Sequence, residues 1–213
     1  MEVLEIKPVK NKEIKVYMIN RAKIKLRSIA DNNLIDIFSC KDIDFATIDE
    51  ENENLRSFNK SSLAKLLEQF EIPYYTVDIP EYAMGYLIEE IVEKEDRVNE
   101  LVEEFLSMRD KNSLKGLNLK SWIDVLTDEI EEKRLILQLK LRPQWLVKKI
   151  LDIIKSNKKK KITFVHFAQD NIFMETMKLL KELNIEIRIY EQEEETLTFN
   201  LIMNREEISQ WKC

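Results

Sequence analysis

The sequence predicts an α/β domain whose mixed sheet is built from both ends of the chain, with a central helical insertion between the two halves. Three observations carry this reading. Apolar residues alternate with polar ones near both ends, in Ile14, Val16 and Met18 and again in Ile185, Ile187 and Ile189, which is the period of a strand with one buried face. From Glu81 onward the period lengthens to that of a helix, with Met84, Leu87, Ile88, Ile91, Val98, Leu101, Val102 and Phe105 on one stripe. A chain of 213 residues that is 44% apolar and 35% charged has the composition of one packed domain or two small ones, which argues against a fibrous or disordered protein.

The first strand is expected around Ile14 to Met18. Residues 21–29 fit two patterns. Ala22, Ile24 and Leu26 alternate with basic residues as in a strand, whereas Ala22, Leu26, Ile29 and Ala30 share a helical face, and the polar stop at Asp31, Asn32 and Asn33 favours the helix. Residues 43–48 read as a strand. Ser61 or Ser62 can cap a helix through Phe70, because a side-chain oxygen there accepts from the otherwise unpaired first amides. Pro73 ends that helix, and residues 74–79 are a β-rich run stopped by Pro80.

Next come a long helix over 81–108, a loop containing Asn112, Ser113 and Gly116, and a second helix over 119–140 with Trp122, Val125, Leu126, Ile130 and Leu137 inward. Pro143 suits the first turn of a third helix. A strand over 162–167, a helix with Ile172, Met177 and Leu180, a stop at Asn184 and a strand over 185–189 make a βαβ signature. Leu197, Phe199, Leu201 and Met203 alternate again and would add an antiparallel strand. The expected organisation is therefore 1–80 for the first part of the α/β domain, 81–156 for the insertion, and 157–213 for the segment that completes the sheet.

Several function classes are excluded by what is scarce. Gly85 and Gly116 are the only glycines, so neither GxGxxG nor a P-loop is present. Cys40, Cys213 and His166 are too few for a zinc site, and a lone histidine beside no activated serine or cysteine supports no nucleophilic triad. The opening residues carry charges every few positions, unlike a secretory signal. No window approaches eighteen uninterrupted apolar residues. A cytoplasmic protein is expected.

Charge is segregated within an overall balance of 34 basic and 40 acidic residues. Residues 81–108 hold two basic and nine acidic side chains, whereas 133–161 hold eleven basic residues and one acid, Asp152. Neighbouring helices of opposite sign would cancel. Alternatively, Lys140, Arg142, Lys148, Lys149, Lys155, Lys158, Lys159, Lys160 and Lys161 would contact phosphates, with Trp145 as a stacking face.

Chemistry is expected beyond the carboxyl ends of the strands, where ligands of open α/β sheets collect. Asp49, Asp78 and Asp170 each follow or close a predicted strand, and their carboxylates would hold magnesium if they converge, with His166 or Lys60 as proton donor or charge clamp. Simpler roles are a solvated loop for Asp49, a turn cap for Asp78 and a buried, hydrogen-bonded position for His166. Tyr75 and Tyr82, in the run IPYYTVDIPEYAMGY, would line a pocket or pack a corner. The functional expectation is a non-catalytic binding or regulatory protein that docks a protein or nucleic-acid partner on the insertion and the basic 133–161 segment. A magnesium-dependent nuclease or phosphoesterase is the alternative, and only this alternative requires a cofactor.

Overall fold

The computed structural model describes residues 6–23, 32–40, 42–50 and 58–190. Its strands are β1 (Glu13–Asn20), β2 (Phe45–Ile48), β3 (Tyr74–Thr76), β4 (Lys161–Ala168) and β5 (Glu186–Tyr190). The helices are α1 (Asn32–Cys40), α2 (Ser62–Gln69), α3 (Glu81–Ser107), α4 (Leu114–Ile136), α5 (Arg142–Ser156) and α6 (Asp170–Glu182), with a π-helical turn, Leu137–Leu141, between α4 and α5. The strands form one parallel sheet in the order β3-β2-β4-β1-β5.

The sheet joins the two ends of the chain, as expected. β1 and β4 pair over eight residues, from Glu13 beside Lys161 to Asn20 beside Ala168. Both begin with an exposed residue and end in five buried ones, the pattern of central strands covered on both faces. On one face Val16, Met18, Phe45, Ile162 and Phe164 pack with Leu146, Ile150 and Ile154 of α5 and Ile172 and Leu180 of α6. On the other face Tyr17, Ile19, Ile48, Val165 and Phe167 pack with Leu34 and Phe38 of α1 and Leu63, Ala64 and Leu67 of α2. The result is three layers, helix on sheet on helix.

Every described strand is parallel. The antiparallel strand expected at Leu197 to Met203 lies outside the described residues, as do 24–29, after a 3₁₀ turn at Arg21–Lys23. The two strands of the C-terminal βαβ unit are not neighbours, because β1 occupies the free side of β4 and β5 pairs with β1 instead. Ser61 caps α2 as expected, its Oγ accepting from the Ala64 amide at 3.1 Å. Asn184 stops α6 with a positive φ of 59°, a conformation asparagine tolerates better than most residues.

Among the described residues, α3 and α4 leave the sheet, while the π turn packs against α6. α5, placed within the 81–156 segment, packs its Leu146, Val147, Ile150 and Ile154 into the core. α3 and α4 form an antiparallel hairpin tied by Lys94–Glu129, Lys133–Glu90, Arg134–Glu95 and, at 2.7 Å, Lys115–Glu104. The second helix starts earlier than expected, because Ser113 caps it by accepting from the Gly116 amide at 3.2 Å. Gly116 is therefore helical, and a Cβ there would overlap the Lys111 carbonyl. Gly116→Ala should cost about 1–3 kcal/mol in urea unfolding, the range for overpacking a tight contact.

No loop separates α4 from α5. Proline inside a helix removes one amide donor and crowds the carbonyl four residues earlier. The wider π turn immediately before α5 accommodates Pro143 without ending the helix.

Candidate functional site

The strand order creates a crevice. β1 and β2 run on to α1 and α2 on one face of the sheet, while β4, lying between them, runs on to α6 on the opposite face. Chains leaving adjacent strands in opposite directions open a gap at the carboxyl edge, where ligands bind in this class of sheet. A cavity of about 440 Å³ occupies it. Arg21, Glu50, Gln169 and Asp170 form its polar wall, and Phe58 and Leu63 its apolar one.

Behind the cavity lies a buried charge cluster. Arg142, the first residue of α5, donates from Nε and Nη2 to the two oxygens of Asp78 at 2.9 and 2.5 Å, and from Nη2 to Asp49 Oδ1 at 3.2 Å. Its Nη1 reaches Gln138 Oε1 in the π turn at 3.3 Å. Asp49 is fully buried, and its Oδ2 accepts from the Gln169 amide at 3.0 Å. Two carboxylates share one guanidinium. Burial raises the Asp49 carboxyl to about 6, against the lowering effect of Arg142 and with a further upward push from Asp78.

Asp49, Asp78 and Asp170 thus share one edge of the sheet, but they do not converge as a metal triad. Arg142 fills the position between Asp49 and Asp78 that a cation would take, and Asp170 instead accepts from Asn20 Nδ2 at 2.6 Å. Among the described residues no group of three His, Cys, Asp or Glu side chains could hold a metal. His166 lies inside β4, fully buried, with Nδ1 3.0 Å from Thr47 Oγ1. Burial lowers its pKa to about 4, so it is neutral and has no path to the cavity as a proton donor.

No protein-family model matches the chain, and no curated protein or solved structure shows detectable similarity to it. The geometry alone informs the function.

The basic segment divides into separate regions. Lys133 and Arg134 are neutralised across the hairpin by Glu90 and Glu95. Lys148 and Lys149 are exposed on α5, with Lys149 Nζ 5.2 Å above the Trp145 ring. Lys158, Lys159, Lys160 and Lys161 are exposed at the amino end of β4, where Lys159 pairs with Asp44 and Lys161 with Glu13. An eight-residue strand puts that run about 23 Å from the carboxyl edge. It therefore does not border the carboxylates.

The tyrosines do not form a pocket. Tyr75 is 45% exposed and meets Phe45 edge-on, whereas Tyr74 on the opposite sheet face packs against Phe58 and donates to Asn59. Tyr82 and Tyr86 are about three-quarters exposed on α3. Consecutive residues of a strand point to opposite faces, so Tyr74 and Tyr75 are separated by the sheet itself.

Sequence reasoning missed Arg142 as the hub, along with Arg21 and Gln169. Arg142 forms its cluster with residues 64 and 93 positions away, so no local spacing reveals it. It also misplaced Trp122 and Val125, which are 62% and 54% exposed. Among the described residues α3 is the helix that packs along α4, and the apolar stripe extends beyond the face that α3 covers.

Proposed function

We propose that this is a non-catalytic binding protein whose α3–α4 hairpin docks a protein partner bearing a basic amphipathic helix. The exposed face of α4 carries the proposal. Leu114, Leu117, Trp122 and Val125 are each more than half exposed, and Leu135 and Leu139 continue the line into the π turn. At 100° per residue these positions fall on one side of the helix. An unpaired tryptophan within such a stripe is typical of an interaction surface.

Charge selects the partner. Asp124 and Glu131 border the stripe on the side that also carries Lys120, and Asp128 and Glu132 interrupt it; all are exposed, and the four acids make no ion pair among the described residues. Residues 81–136 contain eight basic and fifteen acidic side chains, net −7. A surface of that sign repels phosphate and a second copy of itself, and it complements an apolar helix bordered by lysine or arginine.

The test uses two designed peptides with identical leucine stripes, one with lysine and one with glutamate on the polar face. Trp122 emission should shift to shorter wavelength with the lysine peptide, saturate, and weaken as salt rises. Leu117→Glu with Val125→Glu should abolish binding while leaving stability within about 0.5 kcal/mol, as for exposed positions generally. Equal affinity for both peptides, or binding that survives the double substitution, would refute the proposal. A fluorescence-independent titration with single- and double-stranded RNA should show no saturable binding to the isolated charge of the hairpin face; tight, salt-sensitive RNA binding lost in Lys148→Gln with Lys149→Gln would replace the hairpin by α5 as the docking surface.

A further inference from the structure

We propose that the crevice cavity binds a small zwitterion with an apolar body, of the α-amino acid class, its carboxylate on Arg21 and its ammonium on Asp170. Both side chains are held in place. Arg21 Nη1 is fixed by the Asp49 carbonyl at 2.7 Å and the Glu50 carboxylate at 2.6 Å. Its Nε and Nη2 edge has no further partner among the described residues, and a guanidinium edge is a planar donor pair matched to a carboxylate. Asp170, an exposed residue, accepts at Oδ1 from Asn20 Nδ2 at 2.6 Å, while its Oδ2 has no hydrogen bond among the described residues. Phe58 and Leu63 supply an apolar wall for the body of the ligand.

Net charge decides against the simpler ligand classes. The cavity and the cluster behind it contain Asp49, Asp78, Glu50 and Asp170 against Arg21 and Arg142, a formal excess of two negative charges. A dianionic phosphate ester is repelled by that excess, and a simple amine must face Arg21. A zwitterion satisfies both walls without adding net charge. The cavity, about 440 Å³, is within the usual range for small-molecule sites and leaves room for water around a ligand of this size.

The experiment is calorimetric titration of the full chain with L-leucine and L-phenylalanine, alongside N-acetylphenylalanine, phenylalaninamide and AMP. The free amino acids should bind, and each blocked derivative should bind about tenfold or more weakly, the loss expected for one charged hydrogen-bonding group. Asp170→Asn should weaken phenylalanine binding similarly while leaving N-acetylphenylalanine unchanged; Arg21→Gln should do the same with respect to phenylalaninamide. Circular dichroism of each variant controls for folding. No heat with either amino acid up to about 10 mM, binding indifferent to both substitutions in folded variants, or preferential binding of AMP would overturn the proposal.

Discussion

Arg142→Met should destabilise the protein by about 3–5 kcal/mol at neutral pH, the cost of leaving buried carboxylates without their cation. Asp49 and Asp78 are 0% and 4% exposed, so water cannot take over from the guanidinium. The loss should shrink below about pH 6 as Asp49 takes up its proton. Adding Asp49→Asn and Asp78→Asn to Arg142→Met should recover most of it, because a neutral cluster no longer has an unpaired charge to desolvate. Urea unfolding of the three chains at pH 5 and 7.5 measures both effects. A loss below about 1 kcal/mol in the single variant would mean that the cluster is hydrated and that Arg142 does not fasten α5 to the sheet.

The second large effect is in pH dependence. Asp49 keeps its proton to about pH 6 in the folded chain, against the usual 3.8. The native state therefore binds the extra proton between about pH 4 and 6, and the contribution of Asp49 to stability falls as pH rises through that window. His166, lowered to about 4, acts in the opposite sense. The unfolded chain binds its proton up to about pH 6.5, so the His166 contribution rises with pH over nearly the same interval. Each is on the order of 3 kcal/mol for displacements of this size.

These contributions oppose one another in the intact protein. Relative to wild type, Asp49→Asn should gain on the order of 3 kcal/mol from pH 4 to 6.5, and His166→Gln should lose a similar amount. Denaturant midpoints at pH 4, 5 and 6.5 give both differences. Parallel stability curves for all three proteins would show that neither group is as dry in solution as the fold makes it.

Much of the scaffold was legible because its causes are local. Alternation in Ile14, Val16 and Met18 marks β1, and the serine before Leu63 marks the start of α2. The three aspartates could be assigned to the carboxyl edge because each follows an apolar run that proves to be a strand or lies just beyond one. Their chemistry was not legible, since the guanidinium between Asp49 and Asp78 comes from a helix that returns only after the whole hairpin. Similarly, the period of α4 reveals a stripe containing Trp122 and Ile130 but not which part of it is covered. Ile130 is buried and Trp122 is not, a difference set among the described residues by the packing of α3.

Hydrogen bonds through Arg142 run from the cavity wall to the base of the hairpin. Gln138, beside the apolar pocket formed by Ile88, Ile91 and Leu137 at the base of the hairpin, accepts from Arg142; Arg142 donates to Asp49; and Asp49 accepts from Gln169 and, through its carbonyl, from Arg21 on the cavity wall. A ligand on the Nε and Nη2 edge of Arg21 would bear on a side chain whose Nη1 holds the Asp49 carbonyl, and through Asp49 on the residue that anchors the start of α5. Whatever factor cavity occupancy applies to affinity at the hairpin, a bound partner must return to the cavity in equal measure. The exchange is reciprocal, so the hairpin would report on the cavity and the cavity on the hairpin.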